Sequence, residues 1–311
     1  MHLRDSTVGS GSESVERLSI SRRRFLGTTA AAACAGVFGA RALALAEDAA
    51  ADPFGGFKLG VQSFCYHRFD AEHALKKIQE LGLRHVEMFP GHVSGGPSGD
   101  NQAGIQKTLE LAKKYEVAVT AFGVVHFSKD HDANRKIFEF AKTMGVKAIT
   151  SDPEPDSFDS LDKLVEEYKI PVAIHNHGPI GEKGNKLHRW YRAEIILDAV
   201  RNHHALIGAC LDTGHLIRMA RAPFKLELDP VQQIRAMGSR NIGIHLKDHD
   251  VEKSVNVNFG EGRLTTVAVL KTLRELKFAG TVSIEHEANP GEPDADVKAC
   301  VETFKAAVAQ L

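Results

Sequence analysis

Short apolar runs and segments of helical period alternate along this chain almost from end to end. Runs of strand length are Phe57–Phe64, His85–Phe89, Val117–Val125, Ala148–Ser151, Pro171–His175, Ile207–Leu211, Ile242–Leu246 and Thr281–Ile284. Between them lie Ala71–Leu81, Gln102–Tyr115, Ala133–Met144, Leu161–Tyr168, Tyr191–Asn202, a helix opening near Asp229-Pro230, Thr265–Leu276 and Ala295–Ala309. In Ala71–Leu81, Ala74, Ile78 and Leu81 share one helical face. Gly145 supplies a C-cap, and Asp229-Pro230 combines an N-cap residue with proline in the first turn. Apolar strands joined by crossover helices predict a parallel sheet, and eight such units predict closure into a (β/α)₈ TIM barrel of the α/β class.

Loops after helices are short, as at Leu81-Gly82-Leu83, whereas those after strands are long and polar: Pro90–Asn101, Gly178–Trp190 and Lys247–Arg263. Length gathered on one face marks the working face of the barrel. Four runs carry a metal-type ligand there: Val172-Ala173-Ile174-His175, Ala209-Cys210-Leu211-Asp212, Ile242-Gly243-Ile244-His245 and Val282-Ser283-Ile284-Glu285. Their ligands are spaced by 33 to 40 residues, room for one helix each, so His175, Asp212, His245 and Glu285 are predicted to converge at one barrel mouth. Two imidazoles and two carboxylates suit a divalent ion, Mn foremost, with Co, Fe, Zn or Mg as alternatives.

Further candidates surround that set. Glu285, His177, His215 and Lys247 are predicted to take part in catalysis, Glu285 and His177 as alternative bases. Glu87, His126, Trp190 and Glu287 are candidate substrate contacts, and Trp190 with Phe64 or Tyr66 would wall a sugar face. Period-2 alternation pairs His175 with His177 and Glu285 with Glu287. His249 and Asp250 read as solvated loop residues.

Residues 1–46 carry a different signal. Ser21-Arg22-Arg23-Arg24-Phe25-Leu26 precedes the Ala-rich stretch Gly27–Ala40 and Ala44-Leu45-Ala46, a twin-arginine export pattern with its cleavage site. Periplasmic or other extracytoplasmic residence follows, with the export machinery as partner and a lipid anchor at Cys34 disfavoured. A short linker, 47–56, leads to the barrel domain, 57–311, close to the roughly 250 residues of a complete barrel. With 39 Lys and Arg against 40 Asp and Glu, nothing advertises a nucleic-acid surface. Cys65, Cys210 and Cys300 then remain, an odd set expected to be free thiols.

The HNHG run at His175–Gly178, LDTGH at Leu211–His215, IHLKD at Ile244–Asp248, FGEG at Phe259–Gly262 and SIEHE at Ser283–Glu287 resemble the xylose isomerase-like barrels. This group of sugar phosphate isomerases, epimerases and related lyases also includes endonuclease IV. The resemblance implies a metal-dependent sugar isomerase or epimerase with a small carbohydrate substrate, metal at Asp212, His245 and Glu285, and His215 near substrate. Ketose epimerases of the group carry a glutamate on the fifth strand where this chain has His175. A 3-keto-glycoside lyase or hydrolase is the alternative, followed by an endonuclease-like phosphodiesterase and a sugar-binding barrel without catalysis.

Overall fold

A computed structural model describes residues 52–182 and 184–311. The export pattern, Cys34 and the start of the linker lie outside the described residues. Eight parallel strands close a barrel: β1 Lys58–Gln62, β2 His85–Met88, β3 Ala118–Phe127, β4 Ala148–Pro153, β5 Val172–His175, β6 Ile207–Asp212, β7 Asn241–Leu246 and β10 Thr281–Ile284. Each pairs with its sequence neighbour, and β10 closes the ring on β1. Helices α1 Ala71–Glu80, α2 Gln102–Lys114, α3 His131–Met144, α4 Phe158–Tyr168, α5 Ala193–Val200, α7 Pro230–Met237, α8 Thr266–Glu275 and α9 Asp294–Val308 follow their strands. Apolar residues of both layers, among them Val86, Ile149, Val172, Ile207 and Ile244 on strands and Leu75, Phe138, Leu164, Ile196 and Phe304 on helices, form one core.

The structure departs from the apolar pattern at several places. The first strand stops at Gln62 because its side-chain Oε1 accepts from the Phe64 amide and starts a 3-10 turn, Ser63–Tyr66. Helix α3 begins at His131 because the Asp130 carboxylate caps it. The loop after β7 folds into an antiparallel hairpin, β8 Asp248–Asp250 with β9 Val255–Val257. A short helix, α6 Thr213–Ile217, starts directly at the end of β6. Cys65, Cys210 and Cys300 are buried free thiols.

The amino-terminal end of the barrel is hollow. Small residues there, Ala121, Ala173, Gly243 and Gly280 with Thr150 and Thr281, line a space of about 230 Å3 that reaches up to Glu87. No described helix is long and apolar enough to cross a membrane.

A candidate metal centre at the carboxyl end of the barrel

His175 and Asp212 end β5 and β6, His245 stands one residue from the end of β7, and Glu285 follows β10. All four are buried. One ligand-type atom from each lies within 4.8 Å of the others. The buried atoms His175 Nε2, Asp212 Oδ2, His245 Nδ1 and Glu285 Oε2 converge there, with His245 Nδ1 2.6 Å from Glu285 Oε2 and His175 Nε2 3.7 Å from Asp212 Oδ2 and 3.9 Å from Glu285 Oε2. Two imidazoles and two carboxylates that converge on one point form a donor set that can hold a metal ion.

The surrounding bonds fix which atom faces that point. His245 Nε2 lies 2.8 Å from Glu87 Oε2 and Nδ1 2.6 Å from Glu285 Oε2; against the penalty of burial, its neighbours Cys210, Glu87 and Glu285 raise the His245 pKa well above the usual histidine value, so Nε2 carries a proton and a metal ion at Nδ1 would displace one. Glu87 is held in turn by Gln62 Nε2 at 3.0 Å and Ser283 Oγ at 3.3 Å. Asp212 Oδ1 accepts from the His215 amide at 2.7 Å, capping α6 and leaving Oδ2 to face His175 and Lys247. Asn176 clamps the end of β6 to β5: its Oδ1 accepts from the Asp212 amide and its Nδ2 donates to the Asp212 carbonyl.

Lys247 is almost wholly enclosed, with Nζ 3.1 Å from Asp212 Oδ2, 3.3 Å from Glu285 Oε1 and 2.5 Å from Glu287 Oε1. Burial opposes its charge, but these three carboxylates outweigh burial and raise its pKa well above the usual lysine value. The Glu285 carboxyl is likewise penalised by burial, yet Lys247 and His245 draw it down to about 2. Gly214 makes this possible, since a Cβ there would fall 2.5 Å from Lys247 Cγ. Thr213 Oγ1 completes the seat by donating to the Lys247 carbonyl and accepting from its amide.

Above the cluster a cleft of about 360 Å3 is lined by Gln62, Phe64, Phe89, Val124, Asp152, His175, His177, His188, His215, Arg218, Glu285 and Glu287. His177 Nδ1 lies 3.1 Å from the Gly178 carbonyl, so that nitrogen carries the proton and Nε2 is an acceptor. Burial lowers the His177 pKa to about 4. His215 has the opposite tautomer: Arg218 Nη1, which can only donate, lies 3.3 Å from Nδ1, leaving the proton on Nε2. The two rings are 4.0 Å apart between centroids. Burial, aided by Lys247, holds His215 well below the usual histidine range against the pull of Asp212, so both rings are neutral at pH 7. A proton acceptor beside a proton donor is an arrangement fit for acid–base work.

Of the sugar contacts predicted from sequence, only Glu287 lines the cleft. Glu87 lies beneath it as the partner of His245. His126 is exposed, 3.8 Å from Glu154. Trp190 is buried against Phe158, with its indole N–H on the Pro153 carbonyl, and Tyr66 is enclosed in the core. Of the proposed aromatic wall Phe64 remains, joined by Phe89. His249 is buried rather than solvated. The sequence reading did not single out Gln62, Phe89, Val124, His188 or Arg218. Arg218 had a signal, standing three residues after His215 and therefore one helical turn on.

The sequence profile of the xylose isomerase-like TIM barrel family matches residues 75–307. Among solved structures, an uncharacterised protein from Parabacteroides distasonis is 24% identical at TM-score 0.58, covering 80% of this chain and 98% of its own. A D-tagatose 3-epimerase-like protein is 18% identical at TM-score 0.62, covering 82% and 99%. The 3-keto-D-glucoside 4-epimerase of E. coli is 14% identical at TM-score 0.58, covering 82% and 98%. No curated protein sequence matches significantly. At these identities the structures share the fold, and the profile match over most of the chain assigns the lineage: the chain belongs to the xylose isomerase-like TIM barrel family.

Proposed function

We propose that this protein is a metal-dependent sugar isomerase or epimerase that acts on a carbohydrate through an enediolate. The observation that carries the reading is the convergence of His175, Asp212, His245 and Glu285 on the floor of the cleft, beside two imidazoles of opposite tautomer. A divalent ion held by His175, Asp212, His245 and Glu285, Mn first and Co, Fe, Zn or Mg as alternatives, would polarise a sugar carbonyl and lower the cost of the enediolate. His177 Nε2 takes the carbon-bound proton, because burial keeps this ring neutral at any pH above about 4. The neighbouring His215 Nε2–H supplies a hydrogen bond to oxygen as negative charge develops there, and the Lys247 ammonium, held beneath by three carboxylates, adds its field. Glu285 is the poorer base, since Lys247 and His245 stabilise its ionised form. Phe64, Phe89 and Val124 give an apolar wall that limits water around the reacting carbon. The substrate-class neighbours named above act on keto sugars or are described as like such enzymes, which agrees with this choice.

Metal-loaded protein incubated with free ketoses and 3-keto-glucosides in deuterated water tests the proposal by NMR. The expected result is solvent deuterium at the carbon beside the carbonyl of an intact sugar, lost in His177→Gln. Release of an aglycone would instead establish the lyase alternative. Absence of exchange with metal bound would leave a binding barrel.

A further inference from the structure

The cleft contains one cation that this chemistry leaves unspent. Arg218 opens the 3-10 turn Arg218–Ala220 after α6 and lines the cleft beside His177, His188 and His215. No carboxylate lies within 4.0 Å of its guanidinium among the described residues, whereas the other two cations nearby are committed. Arg189 forks onto Asp152 and reaches Glu154, and Lys247 is shared by Asp212, Glu285 and Glu287. Arg218 makes only the 3.3 Å contact to His215 and one at 3.5 Å to the Pro179 carbonyl, and its Nε is buried without a partner. A guanidinium has five N–H donors, so most of this fork is unused. Gly178 backs the fork from one side, where an added Cβ would stand 3.4 Å from both Arg218 Cβ and Nε.

A charge half withdrawn from water and left unpaired is costly until a ligand neutralises it. We infer that Arg218 receives the carboxylate of an acidic sugar, so that the substrate is of the uronate or keto-aldonate type, its carbonyl end toward the metal cluster and its acid toward Arg218. This rests on the reading of the cleft as a sugar site. A carboxylate fits better than a phosphate because it brings one negative charge in a plane that matches the fork, and no second unpaired cation lines the cleft among the described residues.

Calorimetric titration of the metal-loaded full chain with D-glucuronate and D-galacturonate, against D-glucose, D-galactose and glucose 6-phosphate, tests the inference. Each uronate is expected to bind at least about tenfold tighter than its parent sugar. In Arg218→Gln that ratio should fall to about one, and Arg218→Lys, which keeps charge and loses the fork, should recover part of it. Equal affinity of uronates and parent sugars for the unaltered protein overturns the inference, as does tighter binding of the phosphate or failure of every sugar to bind. A preference that survives Arg218→Gln belongs to the metal and overturns it too. Uronate preference without deuterium exchange would refute the isomerase reading alone; exchange without preference would refute the acidic substrate alone.

Discussion

Asp212 divides its two oxygens between a backbone amide and the proposed metal position, and the two uses can be separated by substitution. Asp212→Asn keeps a capping acceptor while losing the charge; Asp212→Ala loses both, with the cap alone worth about 1 kcal/mol. We expect metal analysis to show near-stoichiometric ion in the unaltered protein and almost none in Asp212→Ala, with circular dichroism still reporting a folded barrel. Full occupancy in that variant would remove the centre proposed here. His249 carries a pH signature: burial, and then the charge of Arg218, lowers its pKa to about 4. An unfolded histidine binds its proton near pH 6.5, so stability present above that pH is lost as pH falls toward 4, by about 3 kcal/mol from this ring. Melting curves of His249→Phe should therefore decline less steeply between pH 6.5 and 4 than those of the parent. At this scale the sequence was most readable where strand spacing alone brings residues together, as for the four that cluster at the barrel mouth. It was least readable for Glu87 and Trp190, whose partners His245 and Pro153 come from distant strands.

The recurring motifs turn out to be assemblies between elements. Asp248 closes IHLKD and organises FGEG, its carboxylate accepting from the amides of His249, Gly260, Gly262 and Leu264. Gly262 must lack a side chain because a Cβ would sit 2.3 Å from Asp248 Oδ1. Asp248→Ala should free four amides at once, destabilise the loop by about 2 to 3 kcal/mol and expose residues 258–264 to limited proteolysis; unchanged cleavage would contradict that role. Gly214→Ala tests the seat of Lys247 in the same way. The added methyl displaces the lysine stem, costing about 1 to 3 kcal/mol and most of the deuterium exchange. The order of strands and helices was legible because apolar period distinguishes them. Hairpin β8/β9 was not, since its strands are three residues each and too short to show alternation.

For the molecule as a whole, eight βα repeats were enough to specify closure, and the long strand-to-helix loops pointed to the end of the barrel where the His/Asp/Glu cluster and the cleft lie. Export is a separate proposal resting on residues 22–24: changing Arg22 and Arg23 to Lys should retain the precursor in the cytoplasm, read by fractionation, because charge is kept while the paired guanidinium signal is lost. The hollow at the amino-terminal end has a practical meaning of its own. Its walls of Ala121 and Ala173 stand at the barrel end opposite the cleft, so they are positions where the protein can be hardened without redesigning its chemistry. Ala173→Val would place two more methyl groups against that space, a gain of up to about 1.5 kcal/mol if they pack without strain. A protein engineer could then raise the melting temperature from below and spend the added tolerance on reshaping the cleft above.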